Sequence, residues 1–205
     1  MNILLPYLGQ VLLLAVMFTL ITARFAKNSR QHLSIVAVLL VTGLFLPLNG
    51  LSFAQWLRSV TGDLSVLTLI IFANILAQRL FEHRLLEPAT RSRLLKAIAL
   101  AGAVFYPLAL GVSAFDPYRL GYSPLFLSAL LCLVSIIAWL RSERGIAVIL
   151  LLPLIAFNLN LFESANLWDY LLDPILLVYA LVQIVAGSKF MQRKKAEKVT
   201  VATPL

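Results

Sequence analysis

Residues 124–140 read PLFLSALLCLVSIIAWL, seventeen positions without one charged side chain. A helix needs about 17–25 apolar residues to cross the roughly 30 Å of hydrocarbon in a bilayer, and this stretch supplies them. The core helix of a water-soluble protein would carry a polar outer face, and none is written here. The stretch therefore predicts a membrane-crossing helix, and its neighbours repeat the pattern. Seven apolar runs can be marked along the 205 residues: Ile3–Phe25, Leu33–Leu48, Leu64–Leu80, Leu94–Phe115, Pro124–Leu140, Ile146–Phe162 and Trp168–Gly187. With 61% hydrophobic and only 13% charged residues, and a mean hydropathy of +0.93, the expected fold is an all-α bundle of seven transmembrane helices.

The charges orient that bundle. Of the seventeen Lys and Arg, fifteen fall in the segments after the first, third and fifth runs and in the tail, and only Arg58 and Arg119 fall on the opposite side. Positive residues mark the cytoplasmic side, so the N-terminus is expected outside and the C-terminus inside. Five acids, Asp63, Asp116, Glu163, Asp169 and Asp173, then lie outside. The net charge of +8 does not indicate nucleic acid, because no polar domain is present to carry a basic face. The opening MNILLPYLGQ lacks a basic leader and is followed by its charges, the pattern of an anchor rather than a cleaved signal. A lone Cys132 and the absence of an N-x-S/T sequon fit a bacterial inner membrane.

Short connections predict one bundle over residues 1–188, with a basic, frayed cytoplasmic tail over 189–205. Within LSFAQWLRSV, Phe53, Trp56, Leu57 and Val60 recur at helical spacing, which predicts a short interfacial helix on the outer surface near residues 52–60. Helix-start chemistry is read at Asp63, at Ser123-Pro124 and at Asp173-Pro174. Asn74 and Gln78, four apart, read as an interhelical hydrogen-bonding face.

Two outer segments hold most of the remaining polarity, FDPYRLGYSP (115–124) and ESANLWDYLLDP (163–174). The first reads as a tight turn opened by Asp116-Pro117, which would bring Arg119 to an acidic rim formed by the second. Counting back from Gly187 places Asp173 below the outer interface, a costly position for a carboxylate that calls for a partner. The candidate ligand- or partner-binding residues are Arg58, Asp116, Arg119, Tyr122, Asn158, Glu163, Asp169 and Asp173. One reading makes them a structural network with tyrosine and tryptophan anchors; the other makes them a site for an anionic headgroup or polar solute.

The sequence contains no G-x-S-x-G elbow, P-loop, H-E-x-x-H or cysteine pair, and no histidine in the apolar runs. No metal site or cofactor is expected, and the sequence identifies no catalytic residue. The function this suggests is a non-catalytic subunit, anchor or assembly factor of a cell-envelope complex. Its partners would be the lipid bilayer and a membrane protein, or a second copy of the chain. The alternatives are a small-solute or lipid transporter and an outer-leaflet enzyme acting on a lipid-linked substrate.

Overall fold

The computed structural model describes residues 7–22, 38, 42–43, 45–48 and 50–201, with side chains as far as residue 188. The chain is predominantly helical, as expected. Helix α1 spans Leu8–Thr22, and a two-residue antiparallel pairing, β1 (Pro47–Leu48) with β2 (Leu51–Ser52), turns the chain into α2 (Phe53–Thr61). Helices α3 (Val66–Phe81) and α4 (Pro88–Ala109) follow, then a 3-10 turn at Pro117–Gly121. Helices α5 (Leu125–Leu140) and α6 (Arg144–Asn158), the short α7 (Leu167–Leu171) and α8 (Pro174–Val201) complete the order. Most of the expected run Leu33–Leu48, and the basic residues Arg24, Lys27 and Arg30, lie outside the described residues.

Among the described residues one helix, α4, is by length and composition long and apolar enough to cross a membrane. Leu8–Leu20, Val66–Phe81, Leu125–Leu140, Arg144–Asn158 and Pro174–Ser188 are apolar but shorter. The element boundaries follow local chemistry. Helix α4 starts six residues before its apolar run because Pro88 suits the first helical position, and it stops at Ala109 after Pro107 and before Gly111, whose φ is +89°. Helix α2 falls where a short helix was expected and opens with a capping box: Ser52 Oγ accepts from the Gln55 N–H at 3.3 Å, and Gln55 Oε1 accepts from the Ser52 N–H at 2.7 Å. The helical bounds of α8 run on into the basic segment as far as Val201. Gln, Lys, Arg, Ala and Glu there are good helix formers.

Two expected caps are placed differently. Helix α3 is capped by Ser65, whose Oγ accepts from the Thr68 N–H, while Asp63 turns to Arg58. A salt bridge to a guanidinium is a stronger use of that carboxylate than capping at a distance. At α5 the N-cap residue is Pro124 itself, without a side-chain capping bond, and Ser123 does not cap. Asn74 is buried, but its Oδ1 accepts from the Leu86 N–H at 2.9 Å, closing the α3–α4 connection rather than bridging two helices.

The core gathers Leu64, Ile71, Leu167, Tyr170 and Leu176, all essentially inaccessible. Helices pair as α1 with α3, α4 with α8 and α5 with α6. Gln10 ties α1 to the connection between α2 and α3, its Nε2 donating to Gly62 O at 2.8 Å. The outward faces stay apolar: Leu125 is 84% and Leu140 77% exposed on α5. At the α4–α8 crossing a Cβ on Gly102 would stand 2.7 Å from Leu177 Cδ1, so the glycine sets how closely these helices approach. Gly102→Val should force them apart and cost about 1–3 kcal/mol, seen as a lower unfolding midpoint of the purified protein in detergent. An unchanged midpoint would mean that the crossing is not tightly packed.

Candidate functional site

Polar residues of segments 115–124 and 163–174 meet at one end of the bundle, around Asp173. This carboxylate is only 5% exposed and lies between the starts of two helices. Oδ1 accepts from the Leu176 N–H at 2.8 Å, capping α8. Oδ2 accepts from the Ser65 N–H at 2.9 Å and from the Thr68 hydroxyl, both at the head of α3. Its partners are thus neutral donors at two positive helix ends, not an arginine. Leu172 is extended and separates α7 from α8, so the last expected run is not one continuous helix but a short turn feeding a second helix at Pro174.

Arg58, on α2, reaches two acids. Its Nε and Nη2 donate to Asp63 Oδ1 and Oδ2 at 2.8 and 3.2 Å, and Nη2 stands 3.0 Å from Glu163 Oε1. The hydrogen bond to Asp63, then the one to Glu163, outweigh burial and hold the guanidinium pKa above its ordinary value. Asp169 accepts from the Tyr118 hydroxyl at 3.1 and 3.2 Å and from the Ser164 hydroxyl at 2.5 Å. Burial, and next the Asp169 charge, push the Tyr118 phenol above its usual range, so it keeps its proton to donate.

FDPYRLGYSP does dock on the second segment, but through Tyr118 and not Arg119. Arg119 is exposed and makes no ion pair among the described residues. The 3-10 turn carries Pro117 and Gly121 inward, both buried, and sends Arg119 outward. Two carbonyls of the turn then become acceptors: Trp168 Nε1 donates to Pro117 O at 2.9 Å, and Asn166 Nδ2 to Tyr118 O at 3.0 Å. Asp116 has a local role, its Oδ1 accepting from the Tyr118 N–H at 2.9 Å. Tyr122 is exposed and packs edge-to-face on Tyr118 at 5.6 Å. Asn158 returns its Nδ2 to Leu154 O of its own helix at 2.8 Å and takes no part.

Beside this network lies a cavity of about 440 Å³, lined among others by Asp63, Asp169, Asp173, Tyr106, Tyr118 and Trp168. Phe105 closes one wall, 4.4 Å from the Trp168 ring. The Tyr106 hydroxyl makes no hydrogen bond among the described residues. Ser65, Thr68, Tyr106 and Asn166 were not singled out from sequence. A Ser-x-x-Thr ahead of an apolar run was the available signal for the first two. Among the described residues no three His, Cys, Asp or Glu side chains converge as metal ligands. No family model, curated protein or solved structure matches this chain.

Three substitutions test the arrangement. A Cβ on Gly121 would overlap Asn166 Oδ1 and stand 2.8 Å from Trp168 Cδ1. Gly121→Ala should therefore lift the turn off α7, red-shift the Trp168 emission and cost stability; an unshifted spectrum would refute the contact. Asp173→Asn must aim an amide N–H at donors on one side, which should cost about 1–3 kcal/mol. Asp116→Asn preserves its turn hydrogen bond and should fall within about 0.5 kcal/mol of the parent in the same chemical-denaturation series.

Proposed function

We propose that this chain is a multi-pass protein of the bacterial inner membrane, crossing seven times with its N-terminus outside, and that it works as a non-catalytic subunit, anchor or assembly factor of a cell-envelope complex. Charge asymmetry and the exposed apolar side chains of α5 support the membrane placement, since water-facing Leu125, Phe126 and Leu140 would leave a large unsatisfied patch. One observation carries the functional reading. Each of the five outer carboxylates an enzyme could use as base or nucleophile is already engaged inside the chain: Asp63 and Glu163 by Arg58, Asp116 by the Tyr118 N–H, Asp169 by Tyr118 and Ser164, and Asp173 by two helix heads. Groups so engaged rigidify an end of a bundle and suit a docking platform better than proton transfer.

A second reading, binding or transport of a small polar solute, is favoured by the cavity and the unpartnered Tyr106 hydroxyl in it. One purification separates the two. From native membranes in mild detergent, intact-complex mass spectrometry should find a stoichiometric membrane-protein partner. A lone chain carrying a solute that Tyr106→Phe loses would overturn the subunit reading in favour of the second. For topology, in a Cys132→Ser background, a cysteine replacing Ala114 should react with an impermeant maleimide in intact cells. One replacing His83 should react only after permeabilisation; equal labelling would refute the orientation.

A further inference from the structure

At the other end of α4, a groove of about 560 Å³ runs between α4 and α8, lined by Arg91, Ser92, Leu95, Lys96, Gln183, Ser188 and two neighbours. Its chemistry is opposite to that of the outer cavity: two cations and no acid line it. Arg91 Nη2 donates to the Tyr179 hydroxyl at 2.5 Å and faces Gln183 Oε1 at 3.4 Å. Its guanidinium carbon also lies 5.9 Å from the Tyr179 ring centre, and Phe72 packs edge-on against that ring at 6.2 Å. The guanidinium is therefore held in place between two helices by neutral groups alone.

Among the described residues, Glu143 and Glu87 leave it without an ion pair. Glu143 pairs with Arg93, and Glu87, one turn before Arg91, makes no ion pair with it. Arg91 keeps donors on Nε and Nη1 without a partner among the described residues, and the Ser92 hydroxyl makes no hydrogen bond among them. A half-buried, oriented guanidinium with free donors is suited to a planar or tetrahedral oxyanion. Lys96 adds a second positive charge, and Leu95 and Ile184 give the groove an apolar wall.

We propose that this groove binds a phosphate-bearing anion, with Arg91 as the principal donor, Lys96 as a second charge and Ser92 as a hydroxyl donor. Two sources offer that chemistry, the headgroup of an anionic phospholipid whose chains lie along Leu95 and Ile184, or a soluble phosphate. The apolar wall suits the lipid.

Full-length protein in mild detergent would be titrated with phosphatidylglycerol, phosphatidylcholine and inorganic phosphate, with bound adducts followed by native mass spectrometry. Retention of phosphatidylglycerol over phosphatidylcholine, weakened about tenfold by Arg91→Gln and less by Lys96→Gln, is the expected result. Inorganic phosphate competing equally, without lipid preference, would support the same site with a soluble ligand. Arg91→Lys keeps the charge and should retain part of the binding. If Arg91→Gln does not fold, the exposed Lys96→Gln and Ser92→Ala variants decide. Adducts indifferent to lipid charge, or unchanged in folded variants, would overturn the proposal.

Discussion

A carboxylate almost sealed from solvent must find compensation nearby, and Asp173 finds it in the first turns of two helices at once. The Leu176 N–H of α8 meets one oxygen, and the Ser65 N–H and Thr68 hydroxyl of α3 meet the other. Each helix start supplies unpaired donors and a partial positive charge, so one anion satisfies both without an arginine. The price is geometric, because α3 and α8 must begin side by side. Leu64, Leu172 and Leu176 beside Asp173 are all buried in the core, and the extended Leu172 breaks the chain between α7 and α8.

From this point the rest of the end is assembled by contacts of decreasing burial. Helix α7 brings Trp168 and Asn166 to the carbonyls of the 3-10 turn, and Asp169 to Tyr118. Tyr170 is held inside by the loop it faces, accepting from the Phe162 N–H at 3.1 Å and stacking on the Phe162 ring at 4.7 Å. Farther out, Arg58 joins Asp63 to Glu163, whose side chain is 71% exposed. The exposed arm to Glu163 contributes little energy, whereas the two-pronged, mostly shielded pair with Asp63 is what fixes α2 against the head of α3.

Much of this was legible in the sequence because it rests on local chemistry. The apolar run at 125–140 is a helix over those residues, the stripe near Trp56 is α2, and Asp173-Pro174 does start a helix. What was hidden depends on rotation and distance. Arg119 was expected at the acidic rim because opposite charges attract, but a 3-10 turn with Pro117 and Gly121 inward leaves that side chain pointing out and hands the contact to Tyr118. Asp63 was read as a cap because it precedes a helix, yet Ser65 stands two residues closer to the first turn. The two α3 partners of Asp173, Thr68 and Ser65, are 105 and 108 residues away, and no spacing rule reaches that far.

That separation also orders the protein in time. At a translation rate of about 5–20 residues per second, the residues between Ser65 and Asp173 take on the order of 5–20 s to synthesise. Throughout that interval the head of α3 has its donors exposed and no carboxylate to receive them. The bundle therefore closes only when its last helix arrives, and a nascent chain halted before Asp173 is chemically distinguishable from a finished one by an unfilled oxyanion-accepting notch at the start of α3.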